Sequence, residues 1–274
     1  MRHEATKDVH VAARLGRLAG AGAIAYVSLP MTLMDAVLLA GGRGTRLAPL
    51  TVTVPKPLLP LGERPIIDIL ITQLAAAGVR RVYVSLGYLA PLMQAFLGDG
   101  SRWGVEIQPR IEAEPLGTAG GLRLIEGLTD DFFVVNGDTL TDLDFGELAE
   151  VHRKASAWAT LFTPYVDEKV DYGVVSIDPA SGALTDYQEK PRRGYHVSSG
   201  VYVLSRRILP LAPAAGAFDM PDLVRAAMTR GESVICHAAQ AYWKDIGRLD
   251  HYEAATRDFE ADPARFLPPR PPAV

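Results

Sequence analysis

Residues 35–62 read DAVLLAGGRGTRLAPLTVTVPKPLLPLG. A short apolar run, Asp35–Ala40, breaks into glycines, then Arg43 and Arg46, then four prolines around a single lysine, Lys56. The run predicts a strand. Glycines after a strand permit sharp bends and close approach, because glycine tolerates positive φ and carries no side chain. The loop lacks the Lys-Ser/Thr ending of a P-loop, and Leu47 stands where a dinucleotide fingerprint needs its last glycine. What remains is a strand end with many free N–H groups and two arginines able to neutralise a polyphosphate. Pro49, Pro55, Pro57 and Pro60 prevent a helix from running on and stiffen the stretch that holds Lys56. A tight turn with two solvated arginines is the plain structural alternative.

Outward from this stretch, strand-like and helical patterns alternate. Pro65 opens a helix on Ile66, Ile67, Leu70, Leu74 and Ala77, and Gly78 stops it. Strands are predicted at RRVYVSL (80–86), GVEIQPR (104–110) and DFFVVNGD (131–138), and helices at APLMQAFLG (90–98) and GTAGGLRLIEGL (117–128). Asp144 and Glu147 have capping-box spacing ahead of the next helix. Beyond Ala157 the rhythm turns antiparallel, with runs at 158–165, 172–178, 183–190 and 196–204. Then come a helix at 220–231, strands at 233–239 and 242–247, and a closing helix at 249–260. The pattern is that of an α/β domain with a mixed, mostly parallel sheet flanked by helices, Rossmann-like in class. The expected organisation is an N-terminal extension at 1–32, disordered or artefactual, with the true start at Met31 or Met34. One domain follows over 33–260, and a loose proline-rich tail over 261–274.

Of the 274 residues 48% are hydrophobic and 22% charged, and the formal net charge is −4, which offers no general attraction to a polyanion. Nucleic acid is therefore not an expected partner. The apolar part of the first thirty residues is short and broken by glycine, so neither a membrane span nor a membrane partner is expected. Cys236 is the single cysteine, which excludes an intrachain disulfide and a thiolate-built zinc cluster. It falls in an apolar run read as a buried strand. A reducing, cytoplasmic setting fits, and a homodimer stays open.

Asp138 ends the apolar run 132–135 just after Asn136-Gly137, and ligands gather at strand C-termini in open α/β sheets. Asx residues also start turns and cap helices, so Asp138 alone does not define a site. The sequence DLD at 142–144 has the D-x-D form of a glycosyltransferase metal motif, but it reads better as the next helix's cap.

Taken together, the blocks GRGTRL (42–47), PKP (55–57), EPLGTAGG (114–121), VVNGDT (134–139), YGVV (172–175), EKP (189–191), SSGVYVL (198–204) and WKDIG (243–247) resemble, in order, the sugar-phosphate nucleotidyltransferases, or nucleotide-sugar pyrophosphorylases. The resemblance covers about residues 34–258 and implies the nucleotide-diphospho-sugar transferase type of α/β fold. The implied reaction is attack by a sugar 1-phosphate on the α-phosphorus of a nucleoside triphosphate, with release of pyrophosphate. A phosphate monoester has its second pKa near ~6 and needs no general base, which fits the absence of histidine from every block. By resemblance Asp138 and Asp245 hold Mg²⁺. Lys56 contacts the phosphates at the reacting centre, and Arg46 contacts those of the leaving pyrophosphate. The loop residues Gly41, Gly42, Gly44 and Thr45 cradle the nucleotide, with Gly117, Thr118 and Gly120 on the same side of the base. Lys190 takes the sugar phosphate and Glu189 the sugar hydroxyls, while Asn136, Gly173 and Ser199 lie against the sugar.

The blocks look most like the mannose- and heptose-1-phosphate guanylyltransferase group, which makes GTP the expected nucleotide. Uridylyl or thymidylyl transfer to another sugar 1-phosphate stays open. So does a non-catalytic relative that binds nucleotide or sugar phosphate without reacting them, although Arg46, Lys56, Asp138 and Asp245 are all present.

Overall fold

The computed structural model describes residues 34–268. The expectations for 1–32, and the alternative start at Met31, lie outside the described residues. The strands are β1 (Asp35–Leu39), β2 (Pro60–Leu61), β3 (Arg64–Pro65), β4 (Arg81–Leu86), β5 (Glu106–Ile111), β6 (Asp131–Asn136), β7 (Thr139–Thr141) and β8 (Ala159–Phe162). They continue as β9 (Tyr165–Lys169), β10 (Val174–Ile177), β11 (Leu184–Gln188), β12 (Arg192–His196), β13 (Val201–Ser205), β14 (Val234–His237) and β15 (Trp243–Asp245). The helices are α1 (Ile66–Ala76), α2 (Ala90–Leu97), α3 (Gly117–Gly120), α4 (Phe145–Ala155), α5 (Met220–Thr229), α6 (Leu249–Ala261) and α7 (Pro263–Phe266).

Seven strands form the main sheet in the order β14-β8-β13-β6-β1-β4-β5. Only β13 runs against its neighbours; β6, β1, β4 and β5 are parallel, as are β14 and β8. Both faces of the sheet are covered, which is why its strands are apolar throughout rather than alternating. Leu38, Val84, Phe133 and Val135 face one core with α1 and α4, while Val37, Tyr83, Phe132 and Val134 face a second core with α5.

The chain lays β4 and β5 on one side of β1 and then returns to place β6 on the other side. That reversal opens a crevice at the C-terminal ends of β1 and β6, where Leu39 and Asn136 are in register. Beside the main sheet, the antiparallel pairs β9–β12 and β10–β11 form two ribbons, the expected antiparallel stretch.

Asp144 accepts from the Glu147 backbone amide at 3.0 Å and so caps α4. The reciprocal half of the box is not made; the Glu147 carboxylate lies 3.8 Å from His237 instead. Three expectations are corrected. Residues 117–128 do not form one helix: α3 is a single turn, followed by a 3₁₀ turn at Gly121–Leu124, since glycines at 117, 120 and 121 give little helix propensity. Cys236 lies in a strand as expected but is exposed, because β14 is the sheet's outermost strand on that side. Of the tail expected to be loose over 261–274, the stretch as far as Phe266 is held: Asp262 caps α7, and Phe266 is buried against Phe259 and Tyr242, while 269–274 lie outside the described residues.

Gln73 ties α7 to the body. From α1 its side-chain amide donates to Thr141 O at 2.7 Å and to Phe266 O at 2.8 Å, while its own Oε1 has no partner. Gln73→Leu strands two carbonyls and relieves one orphaned oxygen, so it is expected to cost about 2 kcal/mol. The measurement is a lowered urea midpoint at unchanged m. An unchanged midpoint would mean that this tie adds nothing to stability.

Candidate active site

The crevice holds a cavity of about 590 Å³ between the ends of β1, β4 and β6. Its floor is backbone. Gly137 N donates to Leu39 O at 2.9 Å, and Tyr88 N donates to Gly41 O at 3.3 Å. A Cβ at Gly87 would lie 2.7 Å from Gly41 O, so the turn after β4 approaches the loop more closely than any side chain allows.

From this floor the glycine loop rises into a 3₁₀ turn at Thr45–Leu47, with Gly44 at φ +62°. Thr51 donates its hydroxyl to Gly44 O at 2.8 Å, and buried Leu47 anchors the turn. The residues on either side of Leu47's anchor stay outside the core, so Arg46 is exposed; it does not line the cavity but lies beside Gly247. Arg43 lies over the ring of Tyr88, 5.4 Å from its centroid, and the Tyr88 hydroxyl donates to Val52 O at 2.7 Å.

Lys56 starts a 3₁₀ turn between Pro55 and Pro57, and its side chain is only 11% exposed. Its Nζ donates to Asp138 Oδ2. Asp245 arrives from far along the chain because β15 pairs with β7, placing Asp245 opposite Thr139, while Ile246 N donates to Asp138 O at 3.0 Å. Burial, and then the neighbouring Asp138 carboxylate, push the Asp245 carboxyl up from its ordinary range, against the pull of Lys56 and Arg46. No described residue hydrogen-bonds the Asp245 carboxylate, and a Cβ at Gly247 would meet its Oδ2 at 2.6 Å and Arg46 Nη2 at 3.4 Å.

The crevice therefore gathers two carboxylates, one without a donor, beside one lysine and one arginine. Among the described residues no three His, Cys, Asp or Glu side chains form a metal cage. Two carboxylates alone suit a hard divalent cation that completes its shell from substrate phosphates and water, as Mg²⁺ does. The donor set fits that ion.

Opposite the carboxylates, Glu112 follows the end of β5 and lines the same cavity. Its Oε1 accepts from Ser85 Oγ at 2.5 Å and its Oε2 from Leu116 N at 3.1 Å. Each oxygen keeps a second lone pair for a ligand. Sequence reasoning missed Glu112. Its signal was position, one residue past a parallel strand's C-terminus, in the row that also supplies Gly41 and Asp138.

Other expected residues fall in different places. Gly41, Gly42, Asn136, Gly117 and Thr118 line the cavity, though Thr118 also donates to Asp219 and accepts from Met220 N at the start of α5. Gly120 is buried against the 216–218 turn, where its amide donates to Phe218 O. Ser199 is buried too, its hydroxyl donating to Phe162 O at 2.7 Å and accepting from Val201 N. Its neighbour Gly200 makes the close approach instead, since a Cβ there would overlap the Asn136 amide at 2.3 Å. Gly173 and Glu189 meet around Tyr187 on the β10–β11 ribbon, where Glu189 accepts from Tyr187 at 3.0 Å. Lys190 follows at φ +45°, a conformation rare for a residue with a side chain. These three do not line the cavity.

The family described as Nucleotidyl transferase matches residues 35–262. The chain belongs to that family. The chain is 35% identical over 230 residues to a mannose-1-phosphate guanyltransferase of Yarrowia lipolytica, covering 81% of this chain. It is 31% identical over 244 residues to a UTP–glucose-1-phosphate uridylyltransferase of Synechocystis, covering 82% of this chain. It spans 63% of the length of each. Among solved structures, HddC from Yersinia pseudotuberculosis complexed with GMP-PN matches at TM-score 0.63 and 29% identity, over 83% of this chain and all of that one. The sheet is that of the nucleotide-diphospho-sugar transferases. Among the described residues no helix is long and apolar enough to cross a membrane.

Proposed function

We propose that the chain transfers a nucleoside monophosphate, guanylyl by preference, from a triphosphate to a sugar 1-phosphate of mannose or heptose type, releasing pyrophosphate. The observation that carries this reading is one cavity lined by Lys56 and Asp138 and by the Glu112 carboxylate, with Asp245 and Arg46 close behind Asp138 and outside the lining.

A sugar-phosphate oxygen attacks the α-phosphorus; that P–O bond forms as the bond to the α–β bridging oxygen breaks, and pyrophosphate leaves with the electron pair. No proton need move, since the nucleophile is already mostly dianionic near neutral pH. The barrier is electrostatic, and positioned cations lower it. Lys56 serves the phosphates at the reacting centre and Arg46 those that leave. Asp138 and Asp245 would hold Mg²⁺, which when bound neutralises phosphate charge.

Glu112 supports guanine. Guanine presents N1–H and N2–H₂ side by side, and two carboxylate oxygens can accept both, whereas uracil presents a single N–H between two carbonyls. Gly173, Glu189 and Lys190 form the candidate sugar side, with Asn136 at its edge. The relatives' names agree in reaction class and differ in base.

The test is pyrophosphate release with Mg²⁺ across the common nucleoside triphosphates and mannose, heptose, glucose and glucosamine 1-phosphates, with Asp138→Asn as blank. Release with GTP and mannose or heptose 1-phosphate is expected. Release only with UTP would overturn the base assignment, and silence throughout would overturn the reaction.

A further inference from the structure

We infer that Lys56 is a displaceable counter-ion for Asp138: it holds that carboxylate in the free protein and leaves it when a triphosphate enters, so that a divalent cation is admitted only together with nucleotide. The inference rests on the proposed metal role of Asp138 and Asp245.

Three observations carry it. The Lys56 ammonium lies on Asp138 Oδ2, an oxygen of the carboxylate that would hold the metal. Asp138 and Asp245 stand with Lys56 and Arg46, and the cavity's other charged groups, Glu112 and Arg43, also balance, so the free crevice has no net negative charge to draw in a lone dication. Lys56 is also fixed at its root and free at its tip. Pro55 and Pro57 hold its backbone, a Cβ at Gly44 would lie 3.2 Å from its own Cβ, and its side chain reaches into the cavity.

A lysine is a compact point charge on a flexible stem with three donors, well suited to exchange one anion for another. A triphosphate offers it several negative charges in place of one. As the ammonium turns to phosphate oxygen, Asp138 regains its lone pairs beside Asp245, which has no donor of its own. The contrary arrangement is a static ion pair, with Lys56 on Asp138 in every state.

Mn²⁺ binding followed by electron paramagnetic resonance separates the two without turnover. The proteins are the full chain, Lys56→Met, Asp138→Asn and the double variant, each with and without a non-hydrolysable GTP analogue. Without nucleotide, Lys56→Met is expected to bind Mn²⁺ at least about tenfold more tightly than the parent, because a competing charge in contact with the carboxylate is gone. With the analogue that gap should close; a gap that persists with the analogue means a static pair and overturns the inference. Adding Asp138→Asn should abolish that gain. Equal or weaker binding by Lys56→Met overturns the inference, and the metal assignment still stands if Asp138→Asn weakens Mn²⁺ binding in the presence of the analogue. If Asp138→Asn changes Mn²⁺ binding in neither state, the metal assignment fails and the inference with it. Lys56→Gln, neutral but polar, provides the same readout should Lys56→Met fail to fold.

Discussion

Asp138→Asn is expected to fold as the parent does and to lose about a thousandfold in kcat, roughly 4 kcal/mol of transition-state stabilisation. Stability should hold because Asp138 is not a core group: its side chain is 24% exposed and its one side-chain partner is Lys56. Removing the charge costs that ion pair but also relieves the carboxylate that pushes Asp245 up. The two effects oppose each other, and the net change should stay within about 1 kcal/mol. Catalysis has no such compensation. An amide is a poor ligand for a hard cation, and the reaction brings a dianion towards a polyphosphate with no other source of equal charge. Asp245→Asn should behave likewise in rate and, with a buried charge removed, melt no lower than the parent. Single-turnover pyrophosphate release beside a thermal melt checks both. A variant that melts early and keeps its rate would remove the metal role from Asp138.

The sequence carried the parts of this site that backbone geometry dictates. A strand that breaks into Gly41-Gly42 and a proline-flanked Lys56 could each be read locally, because glycine and proline restrict the chain wherever they stand. Asp138 was legible as a strand end in the same way. Asp245 was not readable from local pattern; it depends on β15 finding β7, a pairing between segments about a hundred residues apart. Gly120 and Ser199 show the opposite failure. Both stand in blocks that resemble a site, yet tertiary packing turns Gly120 onto Phe218 and directs the Ser199 hydroxyl to Phe162 O. Within the Ser199-Gly200 pair the close backbone approach falls at Gly200, just before β13, where it lies against Asn136. Glu112 escaped because a glutamate between Ile111 and Ala113 has no local signature. Only the strand order brings β5 to the rim of the crevice and gives that carboxylate a purpose.

Glu112→Gln tests that purpose, and it should exchange base preference rather than abolish activity. In the parent, both carboxylate oxygens are acceptors, and each already holds one internal donor, Ser85 Oγ or Leu116 N. The free lone pairs match two parallel donors on a purine edge. An amide in the same place offers one acceptor and one donor, so an N–H of guanine would face an NH₂ group. Leaving polar groups mismatched in a site built to pair them costs about 3 kcal/mol, or roughly a hundredfold in kcat/KM for GTP. Uracil and thymine present a donor beside an acceptor, which the amide matches, so kcat/KM for UTP or dTTP should hold or rise. The GTP:UTP ratio is therefore expected to fall by more than a hundredfold, while KM for the sugar phosphate, bound elsewhere, stays close to the parent value. Folding should survive, since the amide oxygen can still accept from Leu116 N and the Ser85 hydroxyl can reverse to accept from the new NH₂. A ratio unchanged in the variant would leave Glu112 as a tether for the 112–116 turn, with the base read by backbone groups along Gly41 and Gly87.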